Sequence, residues 1–144
     1  MLGIPENGWV RFQPDKEEYW LSYLSDIPNQ WLDRAIFGLE SGLEFHVEGH
    51  CEPGILRYTV SSRSCSCVLD GEVPREIPVD MGQFCWELHR DIAQNLDAWA
   101  KWESIRWDLT EKEKEAIYAA RKGAITAKLN RLKDLLNKKT SCRK

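Results

Sequence analysis

From residue 43 to 60 apolar and polar side chains alternate: Leu43, Phe45 and Val47 against Glu44, His46 and Glu48, then Leu56, Tyr58 and Val60. A period of two sends each set to one face of a strand, so this stretch predicts half-buried sheet. Cys51-Glu52-Pro53-Gly54 reads as the turn between two strands, and Ser61-Ser62-Arg63-Ser64 as the next polar break. Gly49 and that first turn are expected to end the leading strand before His50. Cys65 to Leu69 supplies a third strand, Asp70-Gly71 a strong hairpin signal, and residues 73–79 the return. Pro74 and Pro78 cannot donate to a ladder, which makes this fourth strand an edge.

After Asp80 the period changes. Met81, Phe84, Cys85, Leu88, Ile92, Leu96 and Trp99 recur mostly at three and four residues, the stripe of an amphipathic helix capped by Asp80. Thr110 and Glu113 form a capping box for a second helix, with Ile117, Tyr118, Ala124, Ile125, Leu129, Leu132, Leu135 and Leu136 as its apolar set. Gly123 weakens that helix by about 1 kcal/mol against alanine. A short connection around Trp107 and Asp108 folds the two helices into an antiparallel hairpin.

The first forty residues are less decided. Trp9 to Phe12 and Tyr19 to Leu24 are strand-like, with Gln13-Pro14-Asp15-Lys16 as a turn, which suits a hairpin over residues 8–25. The rival reading makes Asp15 an N-cap with Glu18 three residues later and residues 16–25 helical. Pro28 then opens a helix with Trp31, Leu32, Ala35, Ile36 and Leu39 on one side, ended at Ser41-Gly42. The pattern as a whole predicts a single α+β domain over residues 1–144. Its acidic part, 1–80, is an antiparallel sheet of about four strands with one helix, extended by the N-terminal hairpin if that forms. Residues 81–137 make a helical hairpin packed against the sheet, and 138–144 a frayed basic tail.

Composition narrows the class. A chain of 144 residues with 42% hydrophobic positions and seven Trp has ample material for one core. No apolar run approaches the roughly 20 residues of a membrane span, and Met1 to Val10 carries no leader-like pattern. Five cysteines, an odd and scattered set, point to free thiols in a reducing cytoplasmic setting.

Charge adds the most. Residues 1–80 hold fourteen Asp/Glu against six Lys/Arg, and residues 81–144 hold nine against fourteen. Such segregation speaks of partners rather than of fold. The acidic half suggests a surface for a basic protein, with Glu44, Glu48, Glu52, Asp70, Glu72 and Glu76 as the contact residues. At the level of class alone, a small acidic α+β domain matches binding and inhibitor proteins, among them bacterial immunity proteins that neutralise basic nuclease toxins. That reading needs no cofactor and no metal.

Two alternatives belong to other classes. Arg121, Lys122, Lys128, Arg131, Lys133, Lys138 and Lys139 on the last helix could neutralise phosphates, though without aromatic interleaving and beside an acidic body. His46, Glu48 and His50, with Cys51, Cys65 and Cys67 near in sequence, could form a metal or thiol enzyme centred on His46, His50 and Cys65. Their spacing matches no paired zinc module, and Cys65-Ser66-Cys67 lacks the helix N-terminus that activates a redox pair. His89 reads as part of a solvated helix face. No phosphate-binding glycine loop, nucleophile elbow or HExxH pattern occurs. Trp99, Trp102 and Trp107 cannot share one helix face, so they are covered by the sheet or offered to a partner.

Overall fold

The computed structural model describes residues 1–102 and 108–142. Strands β1 (Trp9–Phe12) and β2 (Tyr19–Ser22) pair antiparallel, Trp9 opposite Ser22 and Phe12 opposite Tyr19. The hairpin reading therefore holds over the helical one. Asp15, instead of capping a helix, binds Arg75 through both carboxylate oxygens at 2.8 and 2.9 Å. That bond ties the hairpin turn to the far edge of the main sheet. The hairpin remains a separate two-stranded sheet and does not extend the larger one.

Helix α1 (Ile27–Ser41) carries Pro28 in its first turn and ends at Gly42, whose left-handed backbone (φ 73°) lets its N–H reach Gly38 O at 2.8 Å. Next comes the four-stranded antiparallel sheet β3 (Phe45–His50), β4 (Ile55–Val60), β5 (Cys65–Leu69) and β6 (Arg75–Ile77), in that spatial order. Leu43 lies outside β3 and is exposed. At the other end β3 runs through His50, past the expected break. Gly49 is there for packing rather than for a turn: a Cβ on it would stand 2.8 Å from a Leu21 methyl.

Register decides the faces. Phe45, Val60, Cys65 and Ile77 form one cross-strand row, Val47, Tyr58 and Cys67 the next, and all are buried. Phe84 of helix α2 (Met81–Gln94) stacks on Tyr58 at 5.4 Å between ring centroids, and Phe12 meets Trp31 and Tyr58 edge-on. The opposite face carries His46, Glu48, Arg57, Thr59, Ser66 and Glu76. Both sheet edges are protected: β6 is three residues long between two prolines, and Trp31 of α1 donates its indole N–H to Glu48 O of β3 at 2.9 Å.

Asp80 caps α2 by accepting the Gln83 N–H at 2.8 Å. Leu88 and Ile92 are buried as the stripe requires, while Leu96 is partly covered. The single helix expected to reach Trp99 is interrupted at Asn95. Its amide donates to Ile92 O and its side chain to Asp91 O, so α3 (Leu96–Ala100) starts afresh. Helix α4 (Glu111–Cys142) begins at the reciprocal Thr110–Glu113 bonds, both 3.2 Å, and continues through residues 138–142, where a frayed tail was expected. The turn expected at Trp107 lies outside the described residues.

Ile125, Leu129, Leu132 and Leu136 seat α4 on the body. Along α1 it runs parallel, because Asp26, Asp33 and Glu40 meet Arg121, Lys128 and Arg131 in the same order. Along α2 it runs back, with Leu129 and Lys133 beside His89 and Lys139 within electrostatic reach of Cys85. No helix among the described residues is long and apolar enough to cross a membrane.

Candidate functional site

Hairpin topology brings two turns to the same end of the main sheet. The last β3–β4 pair is His50 with Ile55, and the neighbouring β4–β5 pair is Leu56 with Leu69. Residues 51–54 and 70–74 therefore emerge side by side. Asp70 joins them: its carboxylate accepts the Ile55 N–H at 3.0 Å, and its own N–H donates to Ile55 O at 3.3 Å. Gly71 takes the positive φ (81°) the turn needs, and Glu72 N–H closes on Leu69 O at 2.9 Å.

Glu52, Asp70 and Glu72 are exposed at this tip, and none has an ion-pair partner among the described residues. Cys51 sits half-buried among them. Burial first, then the charges of Asp70 and Glu72, push its thiol above the ordinary range. Against Cys51 lies the N-terminal hairpin. Trp9, Trp20, Glu6, Asn7 and Cys51 line an open cleft of about 640 Å³, and the Trp20 side chain is 55% exposed.

The other three expected contact residues are dispersed. Glu44 precedes β3 at the opposite end of the sheet. Glu48 accepts two bonds from Arg57, at 2.8 and 3.0 Å, and lies 3.7 Å from His46, so its charge is largely answered within the fold. Glu76 is exposed on β6, across from Ser66 on the outer face.

The metal or thiol alternative comes apart on the same register. His46, Glu48 and His50 do alternate along one face of β3. His50 Nδ1, however, shares a 2.6 Å hydrogen bond with Ser25 Oγ, and Glu48 is held by Arg57. Cys65 and Cys67 project from the opposite face into the core, where burial raises both thiols to about 11. A site uniting His46, His50 and Cys65 would have to pass through the sheet. Among the described residues no group of three His, Cys, Asp or Glu is placed to hold a metal ion. His89 is half-buried against α4, and burial with the Lys133 charge lowers its pKa, which keeps it a neutral packing residue.

On α4, Arg121, Lys122, Lys128 and Arg131 are engaged with Asp26, Asp97, Asp33 and Glu40. A solvated helix face paired with Asp26, Asp33 and Glu40 of the acidic half and with Asp97 of α3 accounts for them. Lys133, Lys138 and Lys139 are exposed without such partners among the described residues. Trp99 and Trp102 are buried, Trp102 donating its indole N–H to Ser25 O at 2.9 Å, so they are core; Trp107 lies outside the described residues.

Trp20 and Glu6 are the site residues that sequence reasoning missed. The signal was the alternation Tyr19, Trp20, Leu21, which sends Trp20 outward once the hairpin is accepted. Comparison with protein-family models, curated proteins and solved structures found no match to this chain.

Proposed function

We propose that this is a protein-binding protein of the inhibitor or immunity type, which neutralises a basic partner through the acidic tip of its sheet. The observation that carries the reading is the contrast in how charge is answered. Where α1 lies along α4, Asp26, Asp33 and Glu40 are each matched to a base, whereas Glu52, Asp70 and Glu72 gather at one end of the sheet with no ion-pair partner among the described residues. Unanswered carboxylates in turns raise the local negative potential and steer a cationic partner toward the tip. The adjacent Trp20 supplies apolar area of the kind that slows dissociation once a partner has docked.

Calorimetry against basic candidate partners, beginning with the product of any neighbouring toxin-like reading frame, tests this with two charge-reversed variants. Changing Glu52, Asp70 and Glu72 to Lys should weaken binding at low salt, while changing Lys133, Lys138 and Lys139 to Glu should leave it intact. The opposite outcome, with duplex DNA as the ligand retained by wild type and lost with the lysines, would replace this reading by the nucleic-acid one.

A further inference from the structure

The Trp9–Trp20 cleft has a more specific chemistry than negative charge. Trp20 lies on the outer face of the hairpin, opposite Arg11 in the ladder, and leaves more than half of its side chain in solvent. The core does not use that surface. No cation of the described protein lies over the Trp20 ring, whereas Arg75 lies over Tyr19, and Lys101 and Lys122 over Tyr118. One carboxylate, Glu6, lines the cleft, and the turn that carries Asp70 and Glu72 lies beside the turn that begins at Cys51, which forms its wall.

Within the fold two cations already occupy sites of this type: Lys122 lies 5.8 Å from the Tyr118 centroid and pairs with Asp97 at 2.9 Å, and an arginine makes the fuller set of contacts. Arg75 stands 5.9 Å from the Tyr19 centroid, bonds the Tyr19 hydroxyl at 2.9 Å, and holds Asp15 with both arms of its guanidinium. Aromatic face plus carboxylate is thus how this protein accommodates an arginine. The open cleft repeats the pair without the arginine.

We propose that the Trp9–Trp20 cleft receives an arginine side chain of the basic partner, the guanidinium laid on the Trp20 indole and its N–H groups turned toward Glu6, Asp70 and Glu72. This rests on the acidic-tip reading above and names the anchor that reading leaves open. Arginine fits better than lysine, because a planar, weakly hydrated guanidinium stacks on an aromatic face while its edge donors reach carboxylates. An apolar anchor would strip water from the carboxylates and give nothing in return.

Two short Gly/Ser-spaced peptides of equal charge, one bearing arginines and one lysines, test it by titration against the whole protein. The indole N–H resonance of Trp20, assigned through Trp20→Phe, reports the site. The arginine peptide should bind about three- to thirtyfold more tightly than the lysine peptide and shift that resonance. Trp20→Ala should erase the preference and leave weak, salt-sensitive binding of both. Changing Glu52, Asp70 and Glu72 to Gln should remove binding of both. Equal binding of the two peptides by wild type, or a preference that survives Trp20→Ala, overturns the arginine site while the acidic tip stands. If neither peptide binds wild type, both proposals fall. Circular dichroism confirms folding of each variant, and the exposure of Trp20 makes its replacement tolerable.

Discussion

Arg121 joins three elements, and replacing it with methionine keeps the volume of its stem while removing the charge. Its guanidinium bonds both oxygens of Asp26 at 3.1 Å, Trp102 O at 2.7 Å and Ala100 O at 3.1 Å, so α4, α1 and the end of α3 meet at one side chain. The arginine is 17% exposed and Asp26 is 38% exposed. A hydrogen bond to a charged group contributes about 1.5–3 kcal/mol when buried, and the Asp26 share is discounted for solvent. Together the lost bonds and two stranded carbonyls should cost about 2–4 kcal/mol at neutral pH.

The pH dependence carries a sign that can be checked. Burial alone would raise the Asp26 pKa, but the bonds from Arg121 and Asn29 outweigh it and hold the carboxyl below its usual range. A depressed folded value means stability present above the unfolded pKa and lost as pH falls through the folded one. The penalty of Arg121→Met should therefore be full at neutral pH and shrink below about pH 4, where wild type loses the same interaction. Urea unfolding at several pH values, with an unchanged slope, measures it. A loss under about 0.5 kcal/mol at neutral pH, the range of ordinary surface changes, would refute the role assigned to Arg121.

Ile92 is fully buried in the core, and Ile92→Ala should cost about 2–5 kcal/mol in the same assay; a near-neutral result would overturn the α2 register. Elemental analysis should find no stoichiometric zinc, because Ser25 and Arg57 already engage His50 and Glu48; zinc lost on changing His46 and His50 to Ala would revive the enzyme reading. In a Cys142→Ser background, a thiol reagent at mildly alkaline pH should label Cys51 first. Burial holds Cys65 and Cys67 near 11 and Cys85 near 12, so early labelling of any of those three contradicts the core packing.

The main sheet and the α2 stripe were legible because alternation and three-to-four spacing follow directly from which face meets the core. Gly49 misled because local propensity treats glycine as a breaker, whereas here a distant leucine demands the missing Cβ. The Asn95 interruption was hidden by a hydrophobic spacing that continues unbroken across it into α3. On the surface, grouping Glu52, Asp70 and Glu72 follows from hairpin connectivity once the strands are known. Separating off Glu48 needed the side-chain geometry of Arg57. Placing Trp20 beside Cys51 required knowing how the small hairpin docks on the larger sheet, and no short-range pattern encodes that.

The most direct test of the acidic tip is the rate of association with a basic partner as ionic strength is raised. The wild-type rate constant should fall steeply with salt, because exposed charges act chiefly on encounter. Changing Glu52, Asp70 and Glu72 to Lys should slow association at low salt and flatten or invert that dependence. An on-rate and salt slope unchanged in this variant, in a complex that still forms, would place the interface elsewhere and contradict the account.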